Sequence, residues 1–177
     1  MEVSIMSERK YPVITISREF GAGGHSIARV VSERLGIPYY DRDFAKQAAA
    51  RSGYSQEDID REGENLSRSA RLLDNILNNS ASYFSSHDAI YQAQKELILQ
   101  FAAEQDCIII GRCADYVLDG TENLVRLFVY AEIEERINKV REKGYFPEED
   151  ILKNIKRIDR ERRDYYRYYT GKSWENL

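Results

Sequence analysis

The segment Tyr11-Pro12-Val13-Ile14-Thr15-Ile16-Ser17 is a β-branched run that stops abruptly at a loop, Arg18-Glu19-Phe20-Gly21-Ala22-Gly23-Gly24-His25. A buried strand that feeds a glycine loop and then a helix strongly limits what the rest of the chain can build. The helix is expected from Ser26, because Ile27, Val30, Val31 and Leu35 fall on one 3.6-residue face. Gly36 supplies its left-handed stop. Gly21, Gly23 and Gly24 remove side chains where backbone amides must turn toward an oxyanion, and the positive end of the helix points to the same place. The unit therefore reads as a phosphate cradle over residues 18–26, with Gly21, Ala22, Gly23, Gly24, His25 and Ser26 as its binding residues.

Two phosphate-binding schemes compete for this loop. A dinucleotide fingerprint, G-x-G-x-x-G/A, would use Gly21, Gly23 and Ser26, with Asp41, 20 residues after Gly21, as the ribose-binding acid. Against it, Ser occupies the third position, and Arg18 to Phe20 separate the strand from the first glycine. The longer loop suits G-x-x-x-x-G-K-[ST], with Ser26 as the Mg²⁺-binding hydroxyl, His25 in the lysine's place and Glu19 in the first glycine's. An imidazole carries only part of a charge near neutral pH, so Arg18 is the better source of a permanent cation.

Further along, Ile37-Pro38-Tyr39-Tyr40-Asp41 reads as a short strand, and Asp43 is placed to open a helix. Residues 55–104 read as helices, with a break at Asn78-Asn79-Ser80 and an inward face of Ile90, Ala93, Leu97 and Phe101. Cys107 to Ile110 and Leu124 to Val129 are continuous apolar runs, expected as strands covered on both faces. Ile133, Ile137 and Val140 mark one helix. Pro147 with Glu148, Glu149 and Asp150 opens another, which carries Ile151, Ile155, Ile158 and Tyr165 inward. Alternating strands and helices imply one three-layer αβα domain on a parallel sheet, whose ligands bind at the carboxyl ends of the strands. Three segments begin at such ends: 18–26, 41–43 and 111–115.

Charge and composition narrow the partners. The net charge of −4 gives no reason to expect nucleic-acid binding. Residues 151–177 nevertheless hold 8 Lys and Arg against 4 Asp and Glu, a basic segment on an otherwise acidic chain. No apolar run is long enough to cross a bilayer, and the first ten residues lack a signal peptide's apolar core, so the cytoplasm is the expected location. Cys107 and Cys113, with only His25 and His87, make a metal cage a poor expectation, and Cys107 reads as a small buried apolar residue.

The loop from Ser17 to His25, the later Ile110-Gly111-Arg112-Cys113-Ala114-Asp115-Tyr116 and the stretch from Ile158 to Trp174 together resemble the cytidylate kinase-like family. The resemblance implies a P-loop nucleoside monophosphate kinase fold and transfer of the ATP γ-phosphoryl group to CMP or dCMP with Mg²⁺. It implies that residues 55–104 help to bind the acceptor and that residues 145–170 form a lid-like basic helix. Arg112 matches the arginine of that family's Gly-Arg-Asp motif, although Cys113 stands where the acid would be, and Asp41 is the nearest equivalent of its acceptor-binding aspartate. Lid residues fit two registers, Arg160, Asp164 and Arg167 or Asp159 and Arg162. The arginines Arg18, Arg160, Arg162 and Arg167 are then the candidates for catalysis, and Asp41, Arg112, Asp159 and Asp164 those for the acceptor. Cations from a mobile helix suit phosphoryl transfer, which spreads charge over equatorial oxygens. Members of the family continue into a further strand after the Trp motif, so either this sequence stops short of that strand or the strand is absent and the shortened sheet has an open edge, with homo-oligomerisation left open. A nucleotide-binding module that kept the fold and lost the lysine is the rival reading.

Overall fold

The computed structural model describes residues 11–41 and 81–174, with only the backbone described over 81–90. The expected helix at Asp43 and the helices over 55–80 lie outside the described residues. In chain order the elements are β1 (Val13–Arg18), α1 (Gly24–Leu35), β2 (Tyr39–Tyr40), α2 (Ala81–Glu104), β3 (Ile108–Ile110), α3 (Ala114–Val117), β4 (Leu124–Val129), α4 (Ile133–Glu142) and α5 (Ile151–Thr170). A 3₁₀ turn at Glu148–Asp150, entered from Pro147, leads into α5.

The four strands form one parallel sheet in the order β2-β3-β1-β4. Among the described residues this order separates β1 from β2, unlike the 3-2-1-4 order of dinucleotide-binding folds, which removes the structural basis for the fingerprint reading. Alternation along β1 and β3 sorts the core into two layers. Ile14, Ile16, Ile108 and Ile110 point toward Ala28 of α1. Val13, Cys107 and Ile109 point the other way, toward Leu97, Ile98, Ala114 and Leu118. Helices on both faces make this the expected three-layer α/β architecture. The buried face of α2 runs through Tyr91, Gln94, Leu97 and Ile98, with Phe101 partly buried.

Two expectations about burial are corrected. α1 begins at Gly24, with Gly23 as its N-cap, and its inward face centres on Ala28, so Ile27 and Val30 stand exposed. β4 is half exposed, not covered on both faces. It is the last strand of the described sheet, and with no neighbour there its Val125 and Leu127 remain open. Gly36 ends α1 in the left-handed region at φ 67, with its amide on the Ser32 carbonyl, as its sequence position implied. Register aligns Ile16 with Ile110, so the loops after β1 and β3 emerge side by side. The β1 pairing with β4 brings Arg18 level with Val129.

Candidate phosphate-binding cleft

The loop after β1 is fastened at its start and left open at its end. The Glu19 amide donates to the Val129 carbonyl at 3.0 Å, and the Ala22 amide to the Glu19 carbonyl at 3.3 Å. The intervening peptide is gripped from both sides: the Phe20 amide donates to Asp159 Oδ1 at 2.7 Å, and Arg136 Nε donates to the Phe20 carbonyl at 2.8 Å. Gly21, at φ 82, lies so close to α4 that a Cβ would sit 3.1 Å from the Arg136 carbonyl oxygen. Any side chain there would force loop and helix apart by a few tenths of an ångström and strain the backbone.

Beyond this point the amides lose their protein partners. Gly23 adopts φ 90 and gives α1 no side-chain cap. The Ile27 amide closes the first helical turn on the Gly23 carbonyl. The amides of Gly23, Gly24, His25 and Ser26 meet no acceptor among the described residues. Orphan amides at the positive end of a twelve-residue helix are the arrangement that suits an anion.

A cleft of about 650 Å³ opens in front of this helix end, with His25, Ser26 and Asp41 on one side and Arg157, Glu161 and Arg162 of α5 on the other. His25 Nδ1 lies 2.9 Å from Asp41 Oδ2, and its ring meets the Tyr39 ring edge-on. Arg157 pairs with Glu161 at 2.8 Å. Arg162 donates from Nη1 to the Arg18 carbonyl at 3.1 Å and rests its guanidinium 5.6 Å from the Phe20 ring centroid. Arg18 lines the cleft and reaches toward Gly111, where an added Cβ would collide with its guanidinium.

The segment after β3 is wound into an unusual shape. Gly111, Arg112 and Cys113 take φ values of 73, 58 and 55, a left-handed run in which only the first residue is glycine. Such strain at a strand's carboxyl end is characteristic of functional loops. Beside the cleft, Arg112 lines a smaller hollow with Arg18, Arg162, Tyr165 and Trp174. Burial pushes the Tyr165 phenol up, partly offset by the Arg112 cation beside it. Cys113 is buried and its thiol is pushed up, chiefly by burial. Asp115 is also buried, accepts the Tyr166 hydroxyl at 2.6 Å, and has its carboxyl raised chiefly by loss of water.

The structure brings Arg18, Arg112, Arg162, Asp41 and the loop amides to one mouth of the sheet. It distributes the remaining candidates elsewhere. Asp159 is buried, with one oxygen on the Phe20 amide and the other on Arg136. Arg160 and Arg167 lie on the exposed face of α5, and Asp164 is half buried; none of the three lines the cleft. Ser26 stands exposed on the cleft wall in the first turn of α1. Among the described residues, no three His, Cys, Asp or Glu side chains cluster in a way that could hold a metal. The tyrosines of α5 pack: Tyr169 stacks on Tyr91 at 3.9 Å, and Tyr166 is buried, although Tyr168 is half exposed.

Arg136, which holds the loop after β1 in place, was not singled out from the sequence. It joins Glu19, Phe20 and Asp159 from within the buried face of α4. Its signal was available, since it sits between Ile133 and Val140 on an otherwise apolar stripe. Lys143, Tyr145 and Phe146, which also line the cleft, were likewise not singled out.

Comparison with solved structures agrees with this architecture. An uncharacterised protein from Eubacterium ventriosum ATCC 27560 superimposes with a TM-score of 0.67 at 23% identity, covering 93% of this chain and 81% of that one. A shikimate kinase from Bacteroides thetaiotaomicron gives 0.52 at 11% identity, covering 88% of this chain and 81% of its own. A gluconokinase from Sinorhizobium meliloti 1021 gives 0.51 at 12%, covering 92% and 95%. The fold is thus that of the P-loop kinases. No curated protein matches the sequence. No described helix is long and apolar enough to cross a membrane. The model of the cytidylate kinase-like family matches residues 13–177, over the loop, the strained Arg112 segment and α5 together, and the chain belongs to that family.

Proposed function

We propose that the protein is a nucleoside monophosphate kinase that converts ATP and CMP or dCMP to ADP and the corresponding diphosphate. The carrying observation is the run of partnerless amides from Gly23 to Ser26 at a cleft lined by Arg18, Arg157 and Arg162, with Arg112 in the hollow beside it. Phosphoryl transfer asks a protein for position and for positive charge at the equatorial oxygens. The amides hold the donor's terminal phosphates, and Arg18 and Arg162 lie where the transferred group passes. Arg112 and Asp41 flank the acceptor side, consistent with CMP or dCMP as the partner. Mg²⁺ suits the donor set: Ser26 offers a hydroxyl at the cleft, and the remaining ligands would be substrate oxygens, since no acid cluster is present among the described residues. When bound, the ion neutralises charge between the donor phosphates.

Coupled assays with Mg-ATP and CMP, dCMP, UMP and AMP test the reading. Turnover with cytidine nucleotides preferred is expected, and ATP binding without turnover on any acceptor would overturn it. One observation favours the alternative of a non-catalytic nucleotide-binding module: His25, in the lysine's place, is engaged by Asp41. That alternative predicts a thermal shift with ATP and no release of ADP.

A further inference from the structure

The loop lacks the lysine that its spacing calls for, yet an ammonium lies beside it. Lys139 reaches back from α4, and its Nζ is 3.4 Å from the point where a Cβ on Gly23 would stand. We propose that Lys139 supplies from α4 the donor-phosphate ammonium missing at position 25, an inference that rests on the kinase reading above.

Three features carry it. First, the ammonium sits beside Gly23, where the run of partnerless amides to Ser26 begins, so two positive features adjoin. A bound polyphosphate supplies the matching anion. Second, Lys139 has no ion-pair partner among the described residues, even though Glu135 is placed one helical turn earlier. Third, lysines near the end of a helix ordinarily complement its negative pole. Helical side chains lean toward the N-terminus, however, and this one leans onto the loop rather than toward the last carbonyls of α4. Lys143, one turn further on, lines the cleft itself, so this end of α4 presents one cation at the loop and another on the cleft wall.

Gly23 serves the arrangement by having no side chain. With φ 90 it holds a backbone that other residues adopt only under strain, and it leaves open the space between loop and ammonium.

The test is isothermal titration of ATP, tripolyphosphate and CMP into the wild-type chain and into Lys139→Met and Lys139→Arg. Lys139 is exposed, so the variants are expected to keep the wild-type melting temperature. The methionine variant should lose about tenfold or more in affinity for ATP and tripolyphosphate, the weight of one charge-assisted hydrogen bond, and less than about twofold for CMP. The arginine variant should recover most of that loss. Equal weakening of ATP and CMP, or unchanged ATP affinity in the methionine variant, overturns the role of Lys139. Wild-type protein that binds ATP but turns over no acceptor sinks the kinase reading while leaving the binding series to judge Lys139. A wild-type chain that binds neither ATP nor tripolyphosphate sinks both.

Discussion

Arg136 of α4 and Asp159 of α5 form a buried ion pair that clamps Phe20, the arginine donating to its carbonyl and the aspartate accepting from its amide. Glu19 adds a second carboxylate, 2.9 Å from Arg136 Nη1. The shape of the loop after β1 is thereby set by side chains more than 100 residues away along the chain. Asp159 lies one turn before Arg162, so the clamp also fixes where the cleft arginine stands.

Removing one member of this pair leaves the other charged and buried. We expect Arg136→Met and Asp159→Leu each to lower stability by about 3–5 kcal/mol, because burial penalises an uncompensated charge. The double variant should lose clearly less than the sum. Urea denaturation of the four proteins measures the coupling, and strictly additive losses would show that the pair is not a unit.

The two faces of α5 should behave differently. Arg162 touches the loop and lines the cleft, whereas Arg160 and Arg167 face solvent. In the coupled kinase assay, Arg162→Ala is expected to reduce kcat/KM by about 10³-fold, in the range seen for arginines that meet a transferring phosphoryl group. Arg160→Ala and Arg167→Ala should stay within about threefold of wild type, as surface substitutions do. The reverse ranking would place the reacting group on the other face of the helix.

Asp115 provides a test in pH. Its carboxyl is raised above the ordinary value of 3.8, mainly by burial, and one buried oxygen has no hydrogen-bond partner. The folded chain therefore binds this proton more tightly than the unfolded chain does. By linkage, the contribution of Asp115 to stability falls as pH rises from about 4 through its raised value, and is fully lost above that. Asp115→Asn still accepts the Tyr166 hydroxyl and removes the titration. Denaturation midpoints between pH 4 and 7 should fall less steeply with pH in the variant than in wild type, and identical profiles would contradict the assignment.

The extent to which the sequence was readable follows from how far each interaction reaches. The Val13 to Ser17 strand, the glycine loop and the Gly36 stop are local signals, each written in consecutive residues, and the fold has them in place. Ile27 and Val30 mislead because a periodic apolar face states only which residues share a side, and the sheet meets α1 at Ala28 instead. β4 looked doubly buried because composition says nothing of whether a strand has two neighbours. At the candidate site, Arg18 and Arg112 were singled out by residue type and by their places at strand ends, whereas Arg162 entered only as one of two lid registers that the family resemblance implied. The lid register and Arg136 were not legible, since both depend on α4 and α5 docking against the loop, a contact between segments far apart in the chain.

The most direct test of the central idea watches the loop amides themselves. In ¹⁵N-labelled protein titrated with ATP, the backbone resonances of Gly23, Gly24, His25 and Ser26 should shift together and saturate at the ligand's dissociation constant, with smaller changes at Phe20, whose amide is already taken by Asp159. Saturable ATP binding that leaves those four amides unmoved would contradict it.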